Sequence, residues 1–112
     1  MILDRVNPED LFPTEKTGPT VLGKIEYQVN GQREFEGAYI ATNERLIMNV
    51  DMNGQFYYRN IPYNEISSIT LEDDVLWIGF EIGNVAMRQI NKGDINDFVD
   101  YVQQQINKYT KA

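Results

Sequence analysis

The sequence contains no cysteine and no histidine. Their absence excludes disulfide cross-links, thiol nucleophiles, imidazole acid–base chemistry and the usual zinc ligand sets. Basic residues are also scarce, ten Lys and Arg against seventeen Asp and Glu, for a formal net charge of -7. Nucleic acid and anionic membrane are repelled at long range by such a charge, so neither a nucleic-acid partner nor strong binding to an anionic membrane is expected. No apolar run approaches the roughly 18 residues of a membrane-spanning helix, and Met1 to Pro8 has no basic region followed by an apolar one. A cytoplasmic location is the resulting expectation. What is present suffices for one core: in 112 residues, 42% are hydrophobic and 12% aromatic, which rules out wholesale disorder and fits a single domain.

Three of the four prolines, Pro8, Pro13 and Pro19, fall within residues 1–19. That stretch reads as an N-terminal extension, with room for one helical turn from Pro8 capped by Asn7, and residues 20–112 as the domain. From Val21 the pattern alternates: Val21, Gly23, Ile25, Tyr27 and Val29 share one face of a strand. Asn30-Gly31 is a tight-hairpin signal. Further strands follow through Phe35 to Ala41, Arg45 to Val50 and Gln55 to Arg59. Ile61 to Glu65, with Pro62 as a corner, reads as a connection. A fifth strand runs near Ile66 to Glu72, where the three-residue spacing of Ile66 and Ile69 predicts a bulge or a strand that starts after Ile66. Strands from Val75 to Ile82 and Val85 to Ile90 complete a seven-stranded meander. The period then switches: Ile95, Phe98, Val99, Val102, Ile106 and Tyr109 form one helical stripe, with Asp94 as N-cap and Lys108 and Lys111 at the far end. Such a helix must cover the sheet.

Two segments carry a resemblance. Gly37-Ala-Tyr-Ile-Ala-Thr42-Asn43-Glu44-Arg45-Leu46-Ile47-Met48 is similar to the G-x-x-x-A-T-N-x-R-L-I-F segment of small bacterial pleckstrin-homology (PH) domains, departing only at Met48. Ile61-Pro62-Tyr63-Asn64-Glu65-Ile66-Ser67-Ser68-Ile69 resembles their I-P-Y-x-x-I-x-S-I segment. The resemblance spans roughly residues 20 to 108. It implies a mainly β, PH-like, partly open barrel of seven antiparallel strands in two sheets, with the C-terminal helix plugging one end. The motif residues themselves have structural readings: Thr42-Asn43 suit a tight reversal, and Arg45 braces a turn or pairs with a nearby carboxylate.

Phosphoinositide recognition, associated with eukaryotic relatives of this fold, needs approximately K-x(n)-[K/R]-x-R at the first hairpin. Lys24 and Arg33 supply the first two positions, but Phe35 stands in place of the last, and Glu34 and Glu36 oppose phosphate. Catalysis lacks a base: Ser67 and Ser68 have no histidine and point to opposite faces of one strand. Glu72-Asp73-Asp74 reads as a solvated turn, and no EF-hand loop is present. No catalytic residue, metal site or cofactor is therefore assigned. On the sixth strand Leu76, Ile78, Phe80 and Ile82 fit the core, which turns Val75 and Trp77 outward. Either Leu11 or Phe12 of the N-terminal segment covers Trp77, or Trp77 and Val75, with Tyr57 or Tyr58 of the fourth strand, form an interaction surface. The expected function is a non-enzymatic binding or adaptor module for a protein, a peptide or a second copy of the chain. A peripheral lipid-binding domain is the alternative.

Overall fold

The computed structural model describes residues 3, 6, 8–29, 32–52, 54–80 and 83–110, without the side chains of 27–29, 32, 33 and 110. Seven antiparallel strands follow one another: β1 (Thr17–Val29), β2 (Gln32–Thr42), β3 (Arg45–Met52), β4 (Gln55–Pro62), β5 (Ile66–Glu72), β6 (Val75–Phe80) and β7 (Gly83–Lys92), before helix α1 (Ile95–Thr110). A single 3-10 turn occupies Pro8–Asp10 and another Tyr63–Glu65. The expected Asn7 cap, the Asn30-Gly31 turn, Ile82 and Lys111 lie outside the described residues.

The strands form one sheet in the order β4-β3-β2-β1-β7-β6-β5, rather than the two expected. Hydrogen bonding runs unbroken because the long β1 pairs with β2 on one side and β7 on the other. Within the β1–β7 ladder the register shifts between Leu22 and Lys24, around Gly23, where a Cβ would approach the Arg88 carbonyl oxygen at 2.8 Å. Bending at such a position lets one ladder serve both halves of the fold. β4 and β5 stay unpaired with each other, so the sheet curls without closing into a barrel.

Two boundaries differ from expectation. β1 begins at Thr17, ahead of Val21, despite Pro19; the β1–β2 register shifts between Thr17 and Thr20, which takes the residue lacking an N–H out of the ladder. β4 continues through Ile61 and Pro62, opposite Leu46 and Arg45, because an edge strand tolerates proline. The bulge in β5 falls where the isoleucine spacing places it, between Ile66 and Ser68. Asp73 and Asp74 take φ of 50° and 63° in the β5–β6 hairpin, the left-handed pair a two-residue turn requires.

Phe98, Val102 and Ile106 of α1 are buried against the sheet, with the Phe98 ring centroid 6.3 Å from that of Tyr39. The helix starts where Asp94 Oδ1 accepts the Asp97 N–H at 3.1 Å. Gly93, at φ +99°, makes the entry possible, since a Cβ there would come within 2.0 Å of the Thr20 carbonyl oxygen. The core face carries Val21, Ile25, Tyr39, Leu46, Val50 and Met87. The outer face of β2 and β3 is buried too: Ala38, Ile40 and Ile47 are at most 1% exposed. On that face β3 holds two N-terminal residues: Asn49 Nδ2 donates to the Leu3 carbonyl (2.7 Å), and Arg45 Nη2 donates to the Asp10 carbonyl (2.8 Å).

Candidate functional site

The residues of the G-x-x-x-A-T-N-x-R segment build a clamp. Arg45 Nε donates to Glu15 Oε2 at 2.8 Å and its Nη2 to Oε1 at 2.9 Å, with side chains only 7% and 0% exposed. Thr42 Oγ1 donates to Oε2 at 2.6 Å and the Phe12 N–H to Oε1 at 3.0 Å, so the carboxylate accepts four hydrogen bonds. Burial pushes the Glu15 carboxyl up, but the bonds from Arg45, Thr42 and Phe12, with the Arg45 charge, outweigh it and hold the group below its ordinary value. Arg45 also donates to the Asp10 carbonyl (2.8 Å), and the Phe12 ring lies over its guanidinium at 4.2 Å. Asn43 mimics a peptide unit: its Oδ1 accepts the Lys16 N–H (2.7 Å) and its Nδ2 donates to the Thr14 carbonyl (3.1 Å). Tyr63 is buried and donates its hydroxyl to the Thr42 carbonyl at 2.6 Å. Arg45 therefore has the structural role read from sequence. Its partner, thirty residues earlier, was not identifiable from local spacing.

Away from α1, the core face forms a pocket of about 440 Å³, open to solvent at β4, walled by Ile25, Phe35, Met48, Met52, Phe80 and Val85. Tyr39, 1% exposed, lines it, and its hydroxyl has no hydrogen-bond partner among the described residues. Burial pushes the Tyr39 phenol far up, against a small opposing effect of the Arg59 charge, so the hydroxyl is a neutral donor. Arg59, Tyr57 and Tyr58 of β4 complete the lining.

β4 is a sheet edge and carries three consecutive exposed aromatics, Phe56 (46%), Tyr57 (50%) and Tyr58 (44%). Tyr57 lies opposite Val50 and therefore on the core face; Phe56 and Tyr58, opposite Asp51 and Asn49, are on the outer face. That Phe56 joins Tyr57 and Tyr58 on an unpaired edge is not legible in the sequence, because strand order is not encoded locally. Val75 and Trp77 are half-buried on β6, with Trp77 between Thr70 and Ala86 on the face opposite Leu76 and Ile78. β3, β2, β1 and β7 lie between β4 and β6 in the sheet, and Tyr57 and Trp77 face different sides, so the two do not form one patch. Phe12 does not cover Trp77: its ring lies over Arg45 of β3, and it is 50% exposed.

Phe35, at the position where a phosphoinositide motif needs arginine, is a core residue 6% exposed. Lys24 sits between Glu36 on β2 and Arg88 on β7. Ser67 and Ser68 do not point apart. The bulge brings both hydroxyls to one side, within 2.9 Å and 2.4 Å of the point where a Gly79 Cβ would stand. Among the described residues no cluster of three metal-ligating side chains occurs, and no helix is long and apolar enough to cross a membrane.

Comparison with known proteins agrees with this architecture. The solution structure of the N-terminal PH domain of human ARAP2 superposes with a TM-score of 0.60 at 11% identity, covering 86% of this chain and 82% of that one. The crystal structure of the C-terminal domain of an unknown protein from Leishmania infantum superposes with a TM-score of 0.58 at 13% identity, covering 82% and 85%. At such identities the likeness is one of fold alone. No curated protein matches the chain. A sequence model of the bacterial PH domain matches residues 13–104, taking in the Glu15–Arg45 clamp, both motif segments and most of α1. The chain belongs to the bacterial PH domain family.

Proposed function

We propose that this domain is a non-catalytic, cytoplasmic binding module that takes an extended segment of a protein partner along the free edge of β4. The observation carrying this reading is the run of three exposed aromatics on an unpaired edge strand. Natural sheets ordinarily blunt such edges with charge, bulges or proline. An incoming strand gains main-chain hydrogen bonds from the edge, and rigid aromatic side chains supply contact area at low entropic cost. The other edge, β5, exposes Ser67, Ser68, Thr70 and Glu72 and offers no comparable anchor. A lipid-binding role has less support, since Phe35 lies in the core and Glu36 faces Lys24 across the first hairpin.

The test is capture from a lysate of the source cell at two salt concentrations, comparing the wild type with a Phe56→Lys/Tyr58→Lys variant. Partners retained at high salt by the wild type and lost by the variant support the reading, because an acidic surface collects basic proteins only at low salt. Equal capture by both proteins, with thermal stability unchanged, would overturn it.

A further inference from the structure

We propose that the cavity inside the curled sheet is a binding site for a small aliphatic carboxylate, held with its acid group between Tyr39 and Arg59 and its chain among the apolar walls. The inference does not rest on the β4 edge reading.

Three observations carry it. The first is composition: Arg59 is the one charged residue among the described residues lining the cavity, in a chain whose formal net charge is -7. A cation at the mouth of a mostly apolar pocket selects an anionic head with an apolar body. The second is the Tyr39 hydroxyl, buried and without a partner among the described residues. A buried hydroxyl with no acceptor is unfavourable, and a ligand that brings an acceptor relieves it. The third is register. Tyr39 lies opposite Met48, and Met48 opposite Arg59, so the hydroxyl-bearing and guanidinium-bearing side chains stand in one cross-strand row on the core face. Phe35, Met52, Phe80 and Val85 wall the remainder. The ligand thus meets its two polar partners along one row and apolar surface elsewhere.

Size sets the chain length. At about 30 Å³ per water-sized group, a cavity of about 440 Å³ holds roughly a dozen to fifteen heavy atoms, the size of a medium-chain fatty acid. Charge selects carboxylate over alcohol, because an arginine–carboxylate bond is charge-assisted and an arginine–hydroxyl bond is weaker. Arg59 is itself exposed on the edge strand, so the acid group enters past a residue in contact with water.

The test is calorimetric titration of the full chain with decanoate and with 1-decanol at neutral pH, on the wild type, Arg59→Gln and Tyr39→Phe. Decanoate is expected to bind saturably at one site, and each substitution to weaken it by about tenfold or more. For Arg59→Gln the effect on decanol is expected to be less than about twofold, because the alcohol lacks the charge that the guanidinium reads. Tyr39→Phe should melt no lower than wild type, since it removes only an unpartnered hydroxyl, which separates loss of binding from loss of folding. Chemical-shift changes on decanoate binding should centre on Phe35, Met52 and Phe80. Absence of saturable decanoate binding overturns the proposal. So does equal weakening of acid and alcohol by Arg59→Gln, or shift changes confined to Phe56, which lies outside the lining. A Phe56→Lys variant, altered outside the lining, that fails to capture partners yet keeps its decanoate affinity would uphold both readings separately.

Discussion

Replacing Glu15 by alanine removes one partner of the buried clamp and leaves Arg45, 7% exposed, without its counter-charge. Deleting one member of a buried pair costs about 3–5 kcal/mol, most of it the penalty of an uncompensated buried charge. A single domain has about 5–15 kcal/mol in all, so the substitution removes a large share of the stability. At about 4 °C per kcal/mol for a chain of this size, the melting temperature should fall by about 12–20 °C. Thermal or urea denaturation measures it. Acid adds a second, signed expectation. The folded protein holds the Glu15 carboxyl below its ordinary value of 4.5, so its contribution is complete at neutral pH. It is lost as pH falls from that value through the lower folded one, and the gap between wild type and variant should narrow accordingly. The double replacement Glu15→Met/Arg45→Met should recover much of the loss, because a well-packed apolar pair removes the stranded charge. A Glu15→Ala protein within about 1 kcal/mol of wild type, at neutral pH, would refute the clamp.

Further outcomes follow from other contacts. Gly93→Ala should cost at least about 2 kcal/mol by chemical denaturation, because the backbone stands at φ +99° and the new Cβ would collide with the Thr20 carbonyl. Tyr63→Phe should cost about 1–3 kcal/mol in the same assay, since it leaves the Thr42 carbonyl without its buried donor at 2.6 Å. Asp94→Ala should cost about 1 kcal/mol, through loss of the bond to the Asp97 N–H, and should show as earlier exchange of the first amides of α1.

Much of this architecture is legible locally. The stripe Phe98, Val102 and Ile106 marks α1 because helical periodicity and burial are one fact seen twice. The Ile66–Ile69 spacing locates a bulge because a strand cannot keep both residues on one face without one. What escaped local reading depends on long-range placement. Nothing near Arg45 indicates that its carboxylate comes from Glu15. The alternation of β4 does not reveal that Phe56 and Tyr58 lie at an edge, since an edge strand and an inner strand share the same two-residue period. The cavity is less visible still: Ile25, Phe35, Met52 and Phe80 read as ordinary core, and only the curl of the whole sheet leaves space between them. Pro19 and Pro62 misled in the same way, as each sits in a strand at a place where the missing N–H has no ladder bond to lose.

Asn43 ties together both flanks of the domain. It exchanges bonds with Lys16 just before β1, through its Oδ1 (2.7 Å) and its own N–H (3.2 Å), while its carbonyl accepts the Tyr109 hydroxyl near the end of α1 (2.8 Å). The turn between β2 and β3 is thus where the approach to β1 and the end of α1 meet, and a change of side chain at this one position disturbs both at once.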